Sequence, residues 1–173
     1  MSENRKTVLE VLEKLGISYQ LFEHDAAYTM EACEQIDTQL GIAAEHCKNL
    51  FLCNRQGTSY YLLLIQGEKL FKTADVSKQL GISRLSFGKE DKLLEYLGTI
   101  PGAVTPLGLI FDKNDDVMLV MDRDVASSEN ICLHPCENTS SVVISTRDFM
   151  EKFLPYTKHK PAFVTIPSHY EEK

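Results

Sequence analysis

No apolar run in the 173 residues approaches the length of a membrane span, which argues against a membrane-embedded chain. Positive charge is scarce as well. Eighteen Lys and Arg face 25 Asp and Glu, for a formal net charge of −7. Duplex DNA binding through many neutralised phosphates is therefore disfavoured, although a few local cations can still hold one nucleic-acid end. The five cysteines are odd in number and scattered, which is no disulfide framework and fits a reducing, cytoplasmic setting. Gly-rich phosphate loops, HExxH and GxSxG are all missing. The first residues, Met1 to Lys6, are polar and lead into an amphipathic pattern, unlike a signal peptide. No linker or low-complexity segment divides the chain, so one domain over residues 1–173 is expected.

What is present reads as mixed helix and strand. Val8, Leu9, Val11, Leu12 and Leu15 recur at helical spacing before Gly16. The same Leu-Gly-Ile closure returns at Leu40-Gly41-Ile42 and Leu80-Gly81-Ile82, and a helix over about Glu90 to Leu97 ends at Gly98. Strands are expected at Tyr19–Glu23, Leu50–Cys53, Tyr60–Ile65, Ile131–His134 and Ser141–Ser145. The run Leu107–Phe111 is read as a strand forming a second hairpin with Val117–Met121. Thr146 is placed as the cap of a last helix stopped by Pro155, and the tail 158–173 as irregular. Without a regular βαβ alternation, the expected class is α/β mixed (α+β): a mostly antiparallel mixed sheet surrounded by helices.

Chemistry-bearing residues are few. His46-Cys47-Lys48-Asn49 opens the apolar run Leu50–Cys53, and a Lys-Asn pair at the entrance to a buried strand marks either a site or an ordinary loop. Thr99 to Gly108 carries two prolines and two glycines around small apolar residues. It is either a rigid loop presenting backbone groups to a small ligand or a plain connector. His134 ends a strand, where an imidazole offers a donor, an acceptor or a pH-sensitive charge, or serves structure alone. Cys132, His134 and Cys136 form C-x-H-x-C, a soft-metal pattern weakened by Pro135 and by the lack of a C-x-x-C pair. Cys47 beside Lys48 is either an activated or a structural thiol. Neither a metal nor a cofactor is called for.

With Lys48-Asn49, Gly102-Ala103-Val104-Thr105-Pro106 and His134-Pro135 with Asn138 in this order, the chain resembles the YbaK/ProX family. These are free-standing relatives of the editing domain inserted in bacterial prolyl-tRNA synthetases. The closest likeness is to the ProX (PrdX) branch, whose members hydrolyse alanine mischarged onto proline tRNA. The resemblance implies the YbaK/ProRS-associated editing-domain fold, and it implies that Lys48 is the essential lysine and Asn49 its polar partner. It further implies that Gly102, Ala103, Val104, Thr105 and Pro106 form the GxxxP loop holding the aminoacyl group, and that His134 is an activity-bearing histidine. The expected function is trans-editing deacylation of Ala-tRNA(Pro), in the cytoplasm and without a cofactor. Cys-tRNA(Pro) as substrate and a non-catalytic tRNA- or synthetase-binding module remain as alternatives.

A lysine ammonium suits a phosphate or a developing oxyanion, so an electrostatic and positioning role is expected for Lys48. The expected partner is the acceptor end of aminoacylated tRNA. Either a patch of Lys48, Lys69 and Lys72 grips it, or prolyl-tRNA synthetase delivers it. A second, smaller site also answers a chemical need, because a pocket built for a larger amino acid rejects a smaller one poorly.

Overall fold

The structure is a computed structural model, described here over residues 1–170. Its elements in chain order are α1 (Glu3–Lys14), β1 (Tyr19–Glu23), α2 (Met30–Leu40), β2 (Glu45–Asn54), β3 (Tyr60–Gln66), α3 (Thr73–Leu80), β4 (Leu85–Phe87) and α4 (Glu90–Leu97). After a 3₁₀ turn at Pro106–Ile110 come β5 (Val117–Asp122), α5 (Arg123–Ala126), β6 (Asn130–Leu133) and β7 (Ser140–Ser145). The last helical stretch begins as α6 (Thr146–Asp148), widens to a π-helix over Phe149–Phe153 and returns as α7 (Leu154–Thr157), before β8 (Ala162–Val164).

The strands form one mixed sheet in the order β1-β7-β6-β2-β3-β5-β8, with β4 on β2. Four pairings are antiparallel and three, β2–β6, β3–β5 and β5–β8, are parallel. The mixed class read from the sequence holds. At the centre, β3 is covered on both faces, so its side chains alternate between two cores. Tyr60, Leu62 and Leu64 join the larger cluster with α1, α4 and the π-helix, while Tyr61, Leu63 and Ile65 join Val76, Leu85 and Val164. Leu62, Leu63 and Leu64 are fully buried, each worth roughly 1.5–3 kcal/mol of transfer free energy. Two-sided burial explains the unbroken apolar run.

Three expectations change. Leu107–Phe111 is not a strand: Thr105 caps a 3₁₀ turn by accepting the Leu107 N–H, with Pro106 at its start. The last helix is capped by Ser145 rather than Thr146, and it runs through Pro155. The π-helical widening just before Pro155 accommodates the backbone bond that proline cannot make. Within the tail, Ala162–Val164 adds a parallel strand beside β5, while residues 171–173 lie outside the described residues.

One feature of β2 positions the site. Its β3 edge is paired from Cys47 to Cys53. On its other edge it pairs with β6 at Glu45–His46 and with β4 at Leu52–Asn54. Between these contacts, no strand of the described residues pairs with residues 47–50 on that edge, and the sheet parts there.

Candidate active site

Lys48 and Asn49 lie in this parting. Lys48 Nζ donates to the Lys69 carbonyl at 2.8 Å, which aims the ammonium and leaves two of its N–H groups free of that bond. Asn49 Nδ2 donates to the Val104 carbonyl at 3.0 Å, so the loop after α4 is tied to β2. The Asn49 Oδ1 is buried without a partner. The loop itself is a tight turn: Ala103 N–H donates to the Ile100 carbonyl, and Gly102 holds φ +86° behind Pro101. A Cβ at Gly102 would meet the Tyr28 ring at 3.1 Å and Asn138 Nδ2 at 3.4 Å.

His134 sits just past the end of β6. Its Nδ1 is 3.0 Å from the Ser140 carbonyl, which can only accept, so Nδ1 carries hydrogen and Nε2 of the neutral ring keeps its lone pair. Lys48, Asn49, Gly102, Val104 and His134 all line one cavity of about 270 Å³. Residues as far as 86 positions apart in the chain thus meet. Ala103, Thr105 and Pro106 do not line it. All three are buried, with Thr105 capping the 3₁₀ turn and the Ala103 carbonyl accepting from Thr99 Oγ1.

Besides Cys47, the cavity takes in residues given no role from the sequence: Tyr28 just before α2, Met30 and Cys33 from its first turn, and His46 from β2. His46, two positions before Lys48 on one strand face, had a legible signal; Cys33 had none. Burial by itself pushes the Cys33 thiol up, but the imidazoles of His134 and His46 bring it down to about 7. Burial likewise opposes the charged form of His46, and its hydrogen bond to Asp37 at 2.8 Å overcomes this and raises it. Cys47 is the opposite case. Desolvation drives its thiol up, so Lys48 does not activate it.

Two other sequence expectations are corrected. Cys136 has φ +63° and turns its sulfur toward the Leu97 carbonyl, away from Cys132 and His134, so C-x-H-x-C is not one cluster. Lys69 is 4% exposed and paired with Asp122 and Asp124, which removes it from any phosphate-gripping patch. Lys72 lies over the Tyr170 ring.

Residues 24–152, which hold every residue of this cavity, match the family model of the aminoacyl-tRNA editing domain. The chain belongs to the aminoacyl-tRNA editing domain family. This editing-domain protein is 33% identical over 150 residues to the prolyl-tRNA editing protein ProX of Acetoanaerobium sticklandii, covering 87% of this chain and 90% of that one. It is 31% identical over 169 residues to prolyl-tRNA synthetase associated domain-containing protein 1 of Mus musculus, covering 95% and 98%. A crystal structure described as a candidate trans-editing enzyme for prolyl tRNA synthetase superposes with a TM-score of 0.71 over 96% of this chain and 99% of that one. At 17% identity it speaks for the fold alone. No helix of the described residues is long and apolar enough to cross a membrane.

Proposed function

We propose that this chain, acting as one unit, is a trans-editing deacylase that hydrolyses the ester of alanine mischarged onto tRNA(Pro). The observation that carries this is the convergence of Lys48, Asn49, His134, Gly102 and Val104 on one small cavity in an editing-domain protein. About 270 Å³ falls below the usual range of drug-sized pockets, which suits a small aminoacyl group.

The aminoacyl group enters beside Gly102, where the absence of a side chain leaves room and exposed backbone. The buried Asn49 Oδ1 accepts a hydrogen bond from the substrate's ammonium or ribose hydroxyl. Water attacks the ester carbonyl, and Lys48 stabilises the oxyanion of the tetrahedral intermediate or the neighbouring phosphate. His134 Nε2 orients the substrate end and accepts a proton from the attacking water. The bond to the ribose oxygen then breaks as that oxygen takes the proton back from His134, assisted by the substrate's own vicinal hydroxyl, releasing alanine and tRNA with no covalent enzyme intermediate. No cofactor enters the scheme. The partner is the tRNA acceptor end. With a net charge of −7 and Lys69 buried, delivery by prolyl-tRNA synthetase is favoured over a broad basic patch. Such a protein works in the cytoplasm, where tRNA is charged.

The test is a deacylation panel of Ala-tRNA(Pro), Cys-tRNA(Pro) and Pro-tRNA(Pro) with wild type and Lys48→Ala. Rapid release of alanine alone, nearly abolished in a folded Lys48→Ala, is expected. Preferential release of cysteine would change the substrate. Binding of the acceptor end without turnover would reduce the protein to a binding module.

A further inference from the structure

A second cluster lies against the same cavity and takes no part in the proposed hydrolysis. Cys33 and Asp37 are one helical turn apart on α2 and so share a face. Opposite them stand His46 on β2 and Cys132 on β6, register partners across the parallel pair. Donor atoms of Asp37, His46 and Cys132 lie within 4.8 Å of one another. Cys33 lines the same cavity as His46, and neither cysteine is in a disulfide. One oxygen of Asp37 is 2.8 Å from His46 Nδ1, while the other is buried with no partner.

We propose that Asp37, His46, Cys132 and Cys33 form a binding site for a thiophilic divalent cation of the zinc class. Two sulfurs, one imidazole nitrogen and one carboxylate oxygen, drawn from three elements, make a four-donor set of the kind such ions take in tetrahedral sites. Bond lengths of about 2.0–2.3 Å put donor atoms roughly 3.3–3.8 Å apart, so small side-chain rotations close the Asp37, His46 and Cys132 set, and Cys33 completes it by turning in from the cavity wall. A plain Asp-His pair accounts for the 2.8 Å contact. It leaves unexplained a buried second oxygen without a donor, and the Cys132 sulfur gathered within 4.8 Å of the pair. Ligation displaces the two thiol protons and the proton shared by His46 and Asp37, so uptake releases protons and strengthens as pH rises. The bound ion fastens α2 to β2 and β6. The spacing of these residues matches no sequence motif, and the neighbouring C-x-H-x-C points to the wrong partners.

The proposal does not depend on the deacylase assignment. Reduced, metal-free full-length protein is titrated with Co²⁺, which is expected to give a near-ultraviolet thiolate-to-cobalt band that saturates at one equivalent and is displaced by Zn²⁺. Cys132→Ser and His46→Ala should lose the band, and Cys53→Ser should keep it. In wild type, Zn²⁺ should slow iodoacetamide alkylation of Cys33 and Cys132, read by mass spectrometry, while leaving Cys53 unaffected. This second readout decides the matter if a variant fails to fold. Absence of the band, its survival in Cys132→Ser, or protection of all cysteines alike overturns the site.

Discussion

Lys69→Met probes how the cation of the cavity is held. Lys69 Nζ lies 2.7 Å from Asp122 Oδ2 in a setting where the two side chains are 4% and 0% exposed. Methionine keeps most of the volume but strands the Asp122 carboxylate. Breaking one partner out of a buried pair costs roughly 3–5 kcal/mol. The bond to Asp124 adds little, about 0–1 kcal/mol, because that carboxylate is 58% exposed and screened. With a urea dependence of about 1–3 kcal/mol/M, the unfolding midpoint should fall by on the order of 2 M. The Lys69 carbonyl also anchors Lys48 Nζ at 2.8 Å, so kcat should fall even under conditions where the variant remains folded. Adding Asp122→Asn removes the stranded charge yet keeps an oxygen for the Ile166 and Asp124 N–H groups, and should recover much of the loss. Urea melts monitored by circular dichroism give the answer. A midpoint within about 0.3 M of wild type, or a double variant no better than the single one, refutes the reasoning.

Three further outcomes follow from the same geometry. Gly102→Ala forces a side chain into the left-handed region and toward Tyr28, which should destabilise by about 1–2 kcal/mol and reduce kcat/KM for the aminoacyl ester, as measured by melts and deacylation kinetics. Gly108→Ala would set a Cβ 2.3 Å from the Leu97 carbonyl oxygen; the turn must move off α4, lowering stability by roughly 1–3 kcal/mol in urea melts. Burial pushes the Glu137 carboxyl up, but the Arg5 guanidinium and the Ser2 N–H hold it down at about 2. Unfolded, it returns to about 4.3, so its contribution is full above that value and is lost as pH falls toward 2. Glu137→Gln should flatten this acid limb, and an unchanged limb would refute the role.

The residues that carry the cavity were legible where each stood at a break in a pattern. Lys48 and Asn49 stand at the entrance to an apolar run, and Gly102 follows a proline in a loop between two elements. Leu107–Phe111 misled because five apolar residues have no period of their own. The better signal was local, a capping Thr105 followed by Pro106. The meeting of Cys33 with His46 was out of reach for another reason. They meet only because α2 crosses the end of β2, a packing that no sequence spacing encodes. The parallel neighbours of β3 and β2 were likewise illegible, since crossovers are decided by how distant segments share a core.

The parting of β2 from its neighbours has a consequence for how such a protein can change. The opening is made by backbone paths, with β6 at one end and β4 at the other, and it owes nothing to the size of the groups that border it. Side chains along its rim, such as Met30 and Val104, can therefore be exchanged to admit a different ester while the chassis stays intact.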